Sequence, residues 1–180
     1  NMAKKIPGKE EFHETLRYFK RQLEINNVSI HLNKRVNAEE LNNKQYEEVI
    51  IATGVLPRKI GLEGIDNDKV LSYTDVLKQN KPVGKRVAII GAGGIGFDVA
   101  EYLTHSGTSS SVDVASFLKE WGIDPDNEVQ GGVRGIKPDF HGAERQIYLL
   151  QRKSTKPGKG LGKTTGWIHR TNLKKKNVNK

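Results

Sequence analysis

The sequence predicts an α/β fold built on a parallel sheet, and three observations carry this expectation. Two short apolar runs, Val87-Ala88-Ile89-Ile90 and Ile147-Tyr148-Leu149-Leu150, have the length and hydrophobicity of strands. A glycine-rich turn, Gly91-Ala92-Gly93-Gly94-Ile95-Gly96, follows the first run directly. Val99 and Leu103 then recur at helical spacing, so strand, turn and helix come in the order of a βαβ unit. Such units return in parallel, so the two runs are expected to pair that way.

Taken from the N-terminus, residues 9–25 read as an amphipathic helix. Phe12, Leu16, Phe19 and Leu23 recur at offsets of four, three and four and make one apolar stripe. Pro7 and Gly8 form a turn before it, Glu10 and Glu11 suit its positive end, and Asn26-Asn27 end it. Val28, Ile30 and Leu32 alternate with polar residues, as in a half-buried strand. Residues 38–45 read as a short polar connection. Val49-Ile50-Ile51 reads as a buried strand running into Ala52-Thr53-Gly54. Residues 55–71, with Gly61, Gly64 and the cluster Asp66-Asn67-Asp68, read as a linker.

Residues 72–77 predict a short helix capped by Ser72 or Thr74. Residues 86–90 form the next strand and residues 94–105 the helix after the glycine turn. Residues 106–144, rich in Ser, Asp and Gly, break the pattern and read as an insertion, with one helical piece around residues 114–118. Residues 146–150 resume it as a strand. A basic, glycine-containing loop follows, and a last helix runs from about Thr165 to Lys176.

Composition narrows the chemistry. The 180 residues suffice for one domain or parts of two, and 35% are hydrophobic. No cysteine is present, which excludes disulfides, cysteine-ligated zinc and iron–sulfur ligation by this chain. The five histidines, His13, His31, His105, His141 and His169, lack metal-ligand spacing, so no metal site is read. No stretch is apolar enough to cross a bilayer, and the basic N-terminus lacks the apolar run of a signal peptide. A soluble, cytoplasmic protein with no membrane partner is the expectation.

The formal charge is +9, and residues 152–180 hold many Lys and Arg but no Asp or Glu. Such a tail suits nucleic acid, an anionic cofactor or plain solvation. No nucleic-acid motif accompanies it, so no nucleic-acid partner is expected. Gly162-Lys163-Thr164 could end a triphosphate-binding loop, but Pro157 stands where its first glycine belongs.

The pattern Gly91-x-Gly93-x-x-Gly96 gains meaning from its place between strand and helix. The first glycine permits the tight turn, the second lets backbone approach a pyrophosphate, and the third lets helix and strand pack closely. The pyrophosphate then sits at the positive helix N-terminus, with Gly94 in the same turn. The pattern predicts a Rossmann-like dinucleotide site. The second strand selects the nucleotide: a carboxylate at its end holds the ribose 2′-hydroxyl of NAD. Here Leu150 is followed by Gln151, Arg152 and Lys153, with Lys156 close behind. Arg152, Lys153 and Lys156 suit a 2′-phosphate, and NADPH is the expected cofactor. The gap from the glycines to this loop exceeds the usual twenty residues or so, and the insertion explains it. Ala52 and Gly54 are small residues at a strand exit, as found beside a flavin dinucleotide.

Four stretches carry a resemblance: residues 6–12 (IPGKEEF), 83–98 (VGKRVAIIGAGGIGFD), 150–158 (LQRKSTKPG) and 160–170 (GLGKTTGWIHR). They resemble the C-terminal part of the bacterial NADPH-dependent 2,4-dienoyl-CoA reductases. These are flavoproteins of the old-yellow-enzyme-related group that includes trimethylamine dehydrogenase. The resemblance covers nearly the whole chain. It implies a parent enzyme with an FMN-bearing (β/α)8 barrel, a four-cysteine iron–sulfur cluster and an FAD–NADPH unit. In it electrons pass from NADPH through FAD, cluster and FMN to an acyl-CoA substrate.

The barrel, the cysteines and the upstream FAD-binding glycine turn are missing here. The expectation is therefore an incomplete dinucleotide-binding domain joined to part of a flavin domain, inactive alone and without catalytic residues. Residues 1–57 would be a partial FAD-binding domain, 58–80 a linker, and 81–180 a partial NADPH-binding domain with its insertion at about 106–144. The alternative is another flavin-dependent NAD(P)H oxidoreductase, such as an amine dehydrogenase relative.

Overall fold

The computed structural model describes residues 2–180 except Gln45, Lys59, Arg134 and His141. The reading of His141 therefore lies outside the described residues. Two compact units are present. One combines the N-terminal stretch through Leu16 with residues Leu71–Lys180, and the other is Arg17–Val70.

The larger unit holds the sheet. Strands β1 (Arg86–Ile90) and β2 (Gln146–Leu150) pair in parallel, with Arg86 opposite Gln146 and Ile90 opposite Leu150. The far edge of β2 receives the C-terminal segment: Leu149 N–H donates to the Asn179 carbonyl at 2.8 Å, and Asn179 N–H donates to the Ile147 carbonyl at 3.0 Å. Tyr148 and Asn179 thus form an isolated parallel bridge beside the sheet.

Helix α4 (Gly94–Thr104) follows the glycine turn, and α6 (Gly166–Lys175) lies against it. Phe97, Ala100 and Leu103 of α4 share a core with Ile147 and Leu149 of β2 and Leu173 of α6, joined by Ile6, Val76 and Val178. Each fully buried side chain of this size contributes about 1.5–3 kcal/mol. Sequence reading takes β1 as a buried strand. Its covering is one-sided: Val87 and Ile89 are half-buried, whereas Ile90 on the opposite face is 64% exposed.

Helix α3 (Tyr73–Leu77) starts at the expected cap. The Ser72 hydroxyl accepts from Asp75 N–H, and the Asp75 carboxylate accepts from Ser72 N–H, a reciprocal capping box. In the insertion, α5 (Val114–Trp121) is capped by Asp113 and stopped by Gly122 in left-handed conformation. Its Trp121 meets Phe140 edge-on at 5.5 Å, and the Lys175 ammonium lies over both rings, 4.3 and 4.0 Å from their centres. These cation–π contacts fasten the insertion to the last turn of α6.

Helix α1 (Phe12–Ile25) starts three residues later than the sequence suggests, after turns through Lys9 and Glu11, and ends before Asn27, whose φ is +53°. In the smaller unit the structure overturns three expectations. Val28, Ile30 and Leu32 form no strand, nor do Val49-Ile50-Ile51, where Ile50 is 89% exposed and Ile51 82% exposed. A strand needs a neighbour for its backbone groups, and no described residue pairs there. The polar connection at 38–45 contains instead a short helix, α2 (Ala38–Asn43), whose N-cap Asn37 accepts from Glu40 N–H.

Candidate functional site

The glycine turn gives each glycine a separate task. Gly91 has φ +121°, open to glycine and strained for other residues, and its N–H donates to the Leu150 carbonyl at 2.8 Å. Gly93 is the N-cap of α4, and around both Gly93 and Gly94 a Cβ would meet nothing within 4 Å. At Gly96 a Cβ would collide with the Gly91 carbonyl oxygen and crowd the Leu149 Cδ1 of β2. Tight turn, open approach and close helix–strand contact are thus all realised. No side chain caps this helix end, and its first turn holds no carboxylate. Its first-turn N–H groups keep their positive character.

The basic loop after β2 is tied to this turn. Gly158 N–H donates to the Ala92 carbonyl at 3.2 Å. Gly158 has φ +74°, and a Cβ there would run into the Phe97 ring and Leu161. Arg170 of α6 donates to the Gly158 carbonyl at 3.2 Å, and the Lys180 ammonium donates to the Arg170 carbonyl at 3.0 Å. At the loop's near end, the Gln151 amide nitrogen donates to the carbonyls of Lys153, at 2.9 Å, and Thr155.

Arg152, Lys153 and Lys156 are exposed, and no carboxylate pairs with them among the described residues. Burial lowers the Lys180 pKa, and the positive charges of Arg170, Lys156 and Lys174 lower it further. The region is a cationic field, suited to an anion. Two cavities of about 370 and 200 Å³ lie elsewhere, both at the C-terminal end of α4 around His105 and Ser106. Gly91, Gly93 and Gly94 of the glycine turn are exposed, which leaves their backbone open to a ligand.

Structure therefore brings Gly91, Gly93, Gly94 and Gly96 into one turn and ties the loop bearing Arg152, Lys153 and Lys156 to it. Ala52 and Gly54 belong to the smaller unit, where both are exposed and Gly54 has φ +73°. Sequence reasoning overlooked Gln151, Gly158, Arg170 and Lys180 as parts of the arrangement. The Pro157-Gly158 pair was a turn signal that could have found the anchor. Among the described residues, no cluster of three His, Cys, Asp or Glu could hold a metal, and no helix is long and apolar enough to cross a membrane.

Residues 3–179 match the family model described as pyridine nucleotide-disulphide oxidoreductase. This chain has no cysteine, so no redox disulfide forms within it. Over 112 residues the chain is 34% identical to cinnamate reductase of Clostridium sporogenes, covering 59% of this chain and 16% of that protein. It is 30% identical over 112 residues to bilirubin reductase of Mediterraneibacter gnavus, covering 62% and 18%. Metal reductase of Desulforamulus reducens is 24% identical over 192 residues, covering 99% and 26%.

Among solved structures, 2-naphthoyl-CoA reductase in complex with 2-naphthoyl-CoA matches with a TM-score of 0.67 at 22% identity. That match covers 99% of this chain and 21% of that one, and it is a likeness of fold. The chain thus spans about a quarter or less of the length of these relatives. With nearly every residue inside the family match, the chain belongs to the pyridine nucleotide-disulphide oxidoreductase family, a group of flavin- and NAD(P)H-using oxidoreductases.

Proposed function

We propose that this chain is the NADPH-docking part of a flavin-dependent reductase that passes hydride from NADPH to FAD. The observation that carries the reading is the hydrogen bond from Gly158 N–H to the Ala92 carbonyl. It fastens the loop of Arg152, Lys153 and Lys156 to the glycine turn. The turn offers the uncapped N-terminus of α4 to a pyrophosphate, with room at Gly93 and Gly94 for close approach. The loop offers Arg152 and Lys153 to a 2′-phosphate, with Lys156 behind them, and it follows a strand that lacks the NAD-selecting carboxylate.

When bound, the nicotinamide supplies the hydride; the chain's own residues bind and orient, and none of them is catalytic. Ala52 and Gly54 are assigned to the flavin side, where their small side chains let a cofactor approach the backbone. On this reading residues 1–57 derive from a flavin-binding domain and 81–180 from the nicotinamide domain, joined through 58–80, with residues through Leu16 and from Leu71 packed into the nicotinamide unit. The parent's substrate is an unsaturated acyl-CoA thioester, with 2,4-dienoyl-CoA as the specific candidate. Support comes from the quoted sequence stretches and from a fold shared with a reductase named for a CoA thioester. FMN and a four-iron cluster belong to the parent, since this chain offers no cysteine to a cluster.

Amide NMR on the labelled protein tests the docking directly. NADPH should shift the resonances of Gly91, Gly93, Gly94, Gly96 and residues 152–158 together. Shifts confined to the smaller unit, or none at saturating NADPH, would overturn the reading.

A further inference from the structure

We propose that Gln151 is the positioning residue for 2′-phosphate recognition: it acts by folding the loop that carries Arg152 and Lys153. The inference rests on the NADPH reading above and deepens it. Gln151 directly follows the last residue of β2, where an NAD-selecting protein places an acid that touches the ribose. Here the side chain does something else. Its amide nitrogen donates to the carbonyls of Lys153 and Thr155, two and four residues onward. Both partners are acceptors, so only the NH2 end of the amide fits them.

One side chain thereby closes the loop at its near end, while the Gly158–Ala92 bond closes it at the far end. Arg152 and Lys153 are exposed and have no carboxylate partner among the described residues. Their backbone is the part that Gln151 orders. A loop folded before the ligand arrives is spared the ordering cost at binding, which shows as affinity for whatever the loop grips. The benefit falls on the 2′-phosphate alone, because the pyrophosphate is held by the glycine turn.

The test uses 2′,5′-ADP, which carries the 2′-phosphate, and 5′-ADP, which lacks it, titrated calorimetrically into the protein and its Gln151→Met and Gln151→Ala variants. Met keeps the length of the side chain and removes the donor. Both variants should bind 2′,5′-ADP about tenfold more weakly and 5′-ADP within about twofold of the starting protein. Unchanged 2′,5′-ADP affinity in Gln151→Met, alongside a loss in Arg152→Ala, would overturn the role of Gln151 and leave the 2′-phosphate site standing. Equal losses for both nucleotides would assign Gln151 to general support of the fold and overturn the proposal. Equal affinities in the unsubstituted protein would remove the 2′-phosphate site and the inference together.

Discussion

A Cβ atom on Gly96 would lie 1.8 Å from the carbonyl oxygen of Gly91. The obstacle is backbone, so no side-chain rotation relieves it. Gly96→Ala must push α4 away from the turn and from Leu149 of β2, in the centre of the core. A loss of stability of about 1–3 kcal/mol or more is expected from urea denaturation. Gly94→Ala is the control. The first residue of α4 has nothing within 4 Å of its would-be Cβ, and alanine favours helix, so stability should stay within about 1 kcal/mol. Equal effects at the two positions would contradict the packing described.

The second prediction concerns the ion pair between Lys176 and Glu101. Nζ lies 2.5 Å from Oε1, both side chains are 10% exposed, and the Glu101 Oε2 has no hydrogen-bond partner among the described residues. Removing one member strands a buried charge. Lys176→Met should cost about 3–5 kcal/mol, whereas Glu101→Leu combined with Lys176→Met should recover most of that loss. A double variant as unstable as the single would show that the pair itself, and no stranded charge, sets the cost.

Acid stability offers a third check. The Lys81 ammonium, 2.7 Å away, and the Ser72 cap hold the Asp75 carboxyl down from 3.8 to about 2. The folded value is the lower one. The contribution is therefore fully present above about pH 4 and is lost as the pH falls toward 2. Carboxyl NMR titration should find Asp75 near 2, and Lys81→Ala should move it back toward 3.8. An unmoved titration would show that Lys81 is not the principal cause.

Where local chemistry settles an element, the sequence was enough to read it. Arg86–Ile90 and the helix at Gly94 follow from an apolar run meeting a glycine turn, Gln146–Leu150 from an apolar run alone, and the parallel pairing of the two strands from the βαβ order. Val28, Ile30, Leu32 and Val49-Ile50-Ile51 show the limit of such reading. Alternation reports which face a strand would bury, but pairing is non-local and no described residue supplies the partner. Helix α2 was missed because its residues are polar, although Asn37 followed by Glu40 is a start signal. In the site, the glycines were legible by spacing. Pro157-Gly158 marked a turn, but its bond to Ala92 and the role of Gln151 were not legible, because both contacts are made to backbone carbonyls that the side-chain pattern does not pair.

On the proposed reading the loop after β2 selects NADPH. The most direct test is the affinity for NADPH and for NADH, measured side by side in the protein and in Arg152→Ala. A charge-assisted hydrogen bond to phosphate contributes about 1.5–3 kcal/mol. Arg152→Ala should therefore weaken NADPH binding roughly ten- to a hundredfold, and NADH binding should hardly change. Equal losses for the two nucleotides would contradict the account and assign Arg152 to the pyrophosphate or to the fold.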